Sequence, residues 1–151
     1  MDPGDIRIRS WWLLLALRAA GEQGLTPVQL QKALFVLGAR RPQDVAEDFY
    51  SFQAYHYGPF DAAVYWDADI LASDSLLFID ESKGRSLRTY RLTPEGAALA
   101  DQVKARVSQQ GVLYLEQVVE WALRLSFDQL IRSIYQAFPE MRANSVFRET
   151  A

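Results

Sequence analysis

His56 is the only histidine of the chain and lies inside an unusual run, Phe49-Tyr50-Ser51-Phe52-Gln53-Ala54-Tyr55-His56-Tyr57-Gly58-Pro59-Phe60. Imidazole is the side chain best suited to general acid–base work near neutral pH, so His56 is the first place to look for catalysis. Nucleophilic catalysis would also need a serine and a carboxylate close by. Ser51, Ser73 and Ser75 are near in sequence, but none has the Gly-x-Ser-x-Gly context of a nucleophile elbow. One histidine among scattered carboxylates lacks the ligand spacing of a zinc site, and Gly58 has no companions for a phosphate-cradling loop. With no cysteine, disulfides, thiolate metal sites and a cysteine nucleophile are excluded. The expectation is a non-enzymatic protein with no cofactor and no metal.

The same run is rich in Tyr and Phe, which opens a different chemistry. Tyr and Trp combine large contact area with a polar tip and concentrate where a surface becomes an interface. Tyr55, Tyr57, Phe60, Tyr65 and Trp66, beside Asp61 and Asp69, would form an aromatic and acidic face around the Gly58-Pro59 turn. Such a face suits a protein partner of basic character. The competing role is packing: Phe49, Phe52 and Phe60 can fill a junction between helices, and Tyr55 and Tyr57 can do either. Trp11, Trp12 and Trp121 suit the core or a dimer contact.

These residues must be positioned by elements that the sequence punctuates clearly. A first helix is expected over residues 5–20, broken by Gly21 and Gly24. Thr26-Pro27-Val28-Gln29 combines a capping pair with proline in the first turn and opens a second helix, whose Leu30, Ala33, Leu34 and Leu37 share one face. A third helix is predicted over residues 60–73, with Ala63, Val64, Ile70 and Leu71 inward. The β-prone runs 76–81 and 87–92, separated by Ser82-Lys83-Gly84-Arg85-Ser86, predict a hairpin. Thr93-Pro94-Glu95 starts a fourth helix that should end before Gly111. Val112, Leu115, Val119, Ala122 and Leu123 mark a fifth. Ser126 and Gln129 cap a sixth, which carries the stripe Phe127, Leu130, Ile131, Ile134, Tyr135 and Phe138. Residues 49–57 fit a strand or a helical turn equally well.

The predicted class is mainly α (α+β), a winged helix-turn-helix with a two-stranded β-hairpin wing and a C-terminal two-helix extension. Residues 1–110 would form the winged-helix core, including the hairpin at 76–92, with 111–151 packed on the same domain.

Several fragments in this order resemble a known group: Leu30-Gln31-Lys32-Ala33-Leu34-Phe35, Phe52-Gln53-Ala54-Tyr55-His56-Tyr57-Gly58-Pro59-Phe60, Val64-Tyr65, and Tyr90-Arg91-Leu92-Thr93-Pro94-Glu95-Gly96. Together they are similar to the prokaryotic Panacea domain, the SocA-like antitoxin family, and to the related YwgA-like proteins. Pro139-Glu140-Met141 and Asn144-Ser145 after the last helix resemble the YwgA-like side. Phe60 and Asp61 depart from the aliphatic residue that many Panacea members have after Gly-Pro. The resemblance implies an antitoxin-like protein, or a regulator associated with phage and mobile elements, that acts on a protein partner.

The alternative function is a winged-helix DNA-binding transcriptional regulator. Its recognition helix would need Arg, Lys, Asn or Gln for base edges. Residues 60–71 hold none of these, and Asp61, Asp67 and Asp69, with Asp74 just beyond, carry only negative charge. Four such charges at about 7 Å from phosphates in water would together cost roughly 2 kcal/mol. The hairpin offers the compensating cations Lys83, Arg85, Arg88 and Arg91, which would either touch phosphates or protect a strand edge.

The bulk composition agrees with one globular domain: 151 residues, 50% hydrophobic and 23% charged, with a formal charge of −3 that gives no global attraction to nucleic acid. The apolar run Trp11 to Leu17 is far shorter than the roughly 20 residues that span a bilayer. A cytoplasmic protein without membrane partners is expected, and the stripe ending at Phe138 is available for a homodimer.

Overall fold

The computed structural model describes residues 1–148. Six helices and two small hairpins follow in the order α1 (Ile8–Ala20), α2 (Pro27–Arg40), β1 (Gln53–Tyr55), β2 (Gly58–Phe60), α3 (Ala62–Ser73), β3 (Leu77–Asp80), β4 (Thr89–Leu92), α4 (Pro94–Lys104), α5 (Gln109–Arg124) and α6 (Phe127–Ala137). The protein is mainly helical with a small β component, an α+β composition. No helix among the described residues is long and apolar enough to cross a membrane.

Local hydrogen bonding explains where the helices start. The Thr26 hydroxyl accepts from the Gln29 N–H at 3.2 Å while the Gln29 side chain accepts from the Thr26 N–H at 2.9 Å. Ser126 and Gln129 repeat this reciprocal pair, and Thr93 accepts from Gly96 N–H. Each cap satisfies donors that a helix end leaves orphaned. Gly96 has a second role. A Cβ there would lie 1.8 Å from the Leu76 carbonyl oxygen, so only glycine lets the first turn of α4 pass so close to the start of β3.

α1 is the central element and packs against α2, α4 and α5. Its Trp12 to Leu17 run is buried on all sides, which explains an apolar stretch without helical periodicity. Leu30, Ala33, Leu34 and Leu37 of α2 are buried with it, as are Val112, Leu115 and Val119 of α5 and Leu130, Ile131, Ile134 and Tyr135 of α6. Leu130, Ile131, Ile134 and Tyr135 of the α6 stripe thus pack into the chain's own core, while Phe127 is exposed and Phe138 half-buried.

β3 and β4 pair antiparallel from Leu77↔Leu92 to Asp80↔Thr89, and Leu25 bridges to Tyr90 on the other side of β4. β1 and β2 form a separate antiparallel hairpin between α2 and α3, so residues 53–55 are strand rather than helical turn. Gly58 turns it with φ +98°, a conformation that disfavours side-chain-bearing residues.

Several expected boundaries shift. Residues 3–5 form a separate 3-10 turn before α1. Phe60 belongs to β2, and α3 begins at Ala62 because Asp61 caps it. A 3-10 turn, Arg85–Leu87, replaces the start of the second hairpin strand. Gly111 lies inside α5, where the Trp12 ring and Asp44 crowd its Cα. Most consequential, Ile70 is exposed and Asp67 is buried, the reverse of the expected inward face of α3.

Candidate functional site

The buried face of α3 runs through Ala63, Val64, Asp67, Ala68 and Leu71, a regular helical stripe that includes a carboxylate. Asp67 is only 2% exposed. Arg9 in the first turn of α1 donates to it from Nε at 2.7 Å and Nη2 at 3.1 Å, and the Tyr50 hydroxyl donates at 2.6 Å. The Arg9 guanidinium also lies 5.3 Å from the Tyr50 ring centroid. Burial and the adjacent carboxylate hold the Tyr50 phenol far above its ordinary range. This fork-shaped, fully partnered pair is a structural tie between α1, α3 and the segment before β1.

Asp61 is also structural. Its carboxylate accepts from Ala63 N–H at 2.9 Å and from Ser51 N–H at 2.8 Å. The buried Gln31 amide clamps the Asp61 backbone, accepting from its N–H and donating to its carbonyl. Of the four aspartates counted against a polyanion, only Asp69 and Asp74 are exposed. The electrostatic penalty on DNA binding falls accordingly to about 1 kcal/mol. Trp66 and Ile70 are exposed on the same helix as Asp69.

The expected aromatic cluster divides into two. On one side His56, Tyr55, Phe60 and Tyr65 form a continuous ladder. Tyr55 stacks on His56 at 4.2 Å and on Phe60 at 5.1 Å, and Phe60 meets the edge of Tyr65 at 5.4 Å. Burial pushes the Tyr65 phenol upward, an effect partly countered by a hydrogen bond with Gln31 and by the charge of Arg88. Trp66 follows on α3 and is 63% exposed; Ile70, one turn further, is 55% exposed. Tyr57 goes the other way, meeting Phe127 of α6 edge-on at 5.4 Å. The α3 side thus holds Tyr55, Phe60, Tyr65, Trp66 and Asp69, without Tyr57.

His56 sits at the tip of the β1–β2 hairpin with its ring against Tyr55, and no serine or carboxylate hydrogen-bonds its imidazole among the described residues. Its carbonyl accepts from Val146 N–H at 2.9 Å, so the C-terminal segment straps the hairpin from outside. Asn144 donates to the Ala54 carbonyl in the same strap. From inside, Lys32 donates to the Pro59 carbonyl at 3.1 Å. Lys32 is 3% exposed with no carboxylate partner among the described residues, and burial lowers its pKa to about 8.

The basic hairpin is also rearranged. Arg91 pairs with Asp80 across the strands at 3.3 Å. Lys83, Arg85 and Arg88 make no ion pair among the described residues. Arg85 and Arg88 line a cleft of about 730 Å³ between the hairpin tip, the first turn of α2 and Phe127.

Sequence spacing did not single out Arg9 or Tyr50, the burial of Lys32, or the exposure of Ile70. Asp67 could have been found, because the i, i+4, i+8 stripe of α3 passes directly through it. No family model matches this chain, and neither a curated protein nor a solved structure is significantly similar to it.

Proposed function

We propose that this chain is a non-enzymatic protein-interaction module with a winged helix-turn-helix layout, docking a protein partner on α3 and the adjoining β1–β2 hairpin. The layout is supported by the order of two helices, a third helix and a hairpin, with Leu25 bridging the hairpin as an added strand position. The observation that carries the function is the pairing of Trp66 and Ile70, one turn apart and both more than half exposed, on a helix with no cation. Removing two such side chains from water contributes roughly 1.5–3 kcal/mol each, on the scale of an interface hot spot. Tyr55, Phe60 and Tyr65 extend this surface as a preassembled ladder that loses little side-chain freedom on binding. Asp69 supplies charge complementarity to a basic partner. With the resemblance to the Panacea group, this supports a cytoplasmic antitoxin-like or mobile-element-associated regulator.

The test is site-directed photo-crosslinking in the source cell, with the photoreactive residue placed at position 66, at 70, or at exposed Ala98 on α4. Partner adducts at 66 and 70 but not at 98 are expected. Equal labelling at all three sites, or none at 66 and 70, would remove α3 as the docking face.

A second function is favoured by a separate observation: Lys83, Arg85 and Arg88 have no carboxylate partners among the described residues. They could hold DNA phosphates in a transcriptional regulator. Gel shifts at two salt concentrations with Arg85→Ala/Arg88→Ala decide it. Binding that weakens with salt and is lost in the variant would favour DNA; no wild-type binding would dismiss it.

A further inference from the structure

A cleft of about 300 Å³ opens between α2, α5 and α6. Its floor is apolar, made of Val36, Val118 and Ile134, all buried. Tyr114, Trp121 and Phe138 wall it and are half-buried. The volume sits at the lower end of the range for small-molecule sites, and the lining has their usual character, apolar with a few polar groups.

The Tyr114 hydroxyl, the Trp121 indole N–H, the Gln117 amide and the Ser133 hydroxyl make no side-chain hydrogen bond among the described residues. Elsewhere the protein employs such groups: Trp11 Nε1 donates to the Pro3 carbonyl at 2.9 Å, and Tyr135 donates to Ser145 at 2.6 Å. At the mouth, the Arg40 guanidinium lies 4.9 Å from the Phe138 ring centroid, held over an aromatic face. Arg40 makes no ion pair among the described residues, whereas its neighbour Arg41 is bound to Asp44. No acidic residue lines the cleft.

We propose that this cleft binds a small aromatic monocarboxylate, its ring between Trp121 and Phe138 and its carboxylate on Arg40. Aromatic walls select a flat apolar body by stacking. A guanidinium without a counter-ion selects a carboxylate through a charge-assisted, two-pronged hydrogen bond. Charge complementarity therefore fixes which end of the ligand faces the mouth. The site is separate from α3, so it stands or falls independently of the docking function proposed above.

The test is calorimetric titration with 2-naphthoate and with its neutral isostere 2-naphthamide, alongside NMR of the Trp121 indole N–H. Saturable binding of the acid that shifts the Trp121 signal is expected, with the amide binding roughly tenfold to a hundredfold more weakly. Arg40→Gln should bring the acid down to the affinity of the amide. Ala137→Phe, which fills the cleft from an exposed position, should abolish both without changing thermal stability. Four outcomes would overturn the proposal: no saturable binding, equal affinity for acid and amide, shifts that avoid Trp121, or a Trp121 signal that moves with protein concentration, which would mean that a second copy covers the cleft.

Discussion

Arg9 and Asp67, 58 residues apart, meet in a two-pronged ion pair at 2.7 and 3.1 Å that fastens the first turn of α1 to the inner face of α3. With Asp67 nearly inaccessible, the pair's value lies in being complete. Asp67→Ala strands a guanidinium and the Tyr50 hydroxyl, and should cost about 3–5 kcal/mol in urea unfolding. Arg9→Met/Asp67→Leu should cost less than the sum of its single variants. Additive losses would show that the two residues do not act as a unit.

Gly96 is predicted to be the least replaceable glycine. Its Cβ position is 1.8 Å from a backbone oxygen, which has no rotamer to escape into. Gly96→Ala should therefore separate α4 from the β3 start and cost more than about 3 kcal/mol. Gly84→Ala, at φ +101° with open space around it, should cost about 1–2 kcal/mol from backbone strain alone. Comparable melting temperatures for the two variants would contradict this ranking.

Lys32 should leave a signature in the pH dependence of stability. Its folded pKa, about 8, lies below the ordinary lysine value of 10.5. Between these values the unfolded chain binds more protons than the folded one, so stability from this residue rises with pH. The cost of burying the ammonium is fully present below pH 8 and gone above about pH 10.5. Relative to Lys32→Met, the wild type should gain about 3 kcal/mol between pH 7 and 10.5, read from urea melts of both proteins. A pH-independent difference would mean that the amine is solvated in the folded state.

Asp61 and Asp69 should separate cleanly. Asp61→Ala removes the α3 cap and the acceptor for Ser51 N–H, and should lose about 1–2 kcal/mol of stability. Asp69→Ala touches an exposed carboxylate without an ion pair among the described residues and should stay within about 0.5 kcal/mol of wild type. Denaturant titration of the two variants checks this.

Trp66→Ser and Ile70→Ser should also leave stability within about 0.5 kcal/mol, since both side chains are mainly in water. Their effect belongs to partner capture, which each should reduce at least tenfold. A large loss of stability instead would identify them as core residues.

What the sequence determined by itself was local. Thr26 with Gln29, Thr93 with Gly96 and Ser126 with Gln129 each close hydrogen bonds within three residues, so no distant contact can hide or override them. The apolar stripe of α2 and the β3–β4 hairpin were legible for the same reason. Tertiary structure alone decided the fate of the charges and aromatics on α3. Asp61, Asp67 and Asp69 look alike in the sequence, yet one caps a helix, one is neutralised by Arg9, and one faces water. Tyr55 and Tyr57 part because they lie on either side of His56 at the β1–β2 tip, where Tyr55 meets Phe60 and Tyr57 meets Phe127. The cleft beside Arg40 likewise needs α2, α5 and α6 together. Spacing along one element says which side chains share a face; only the elements packed against that face determine whether a charge there meets water or a partner.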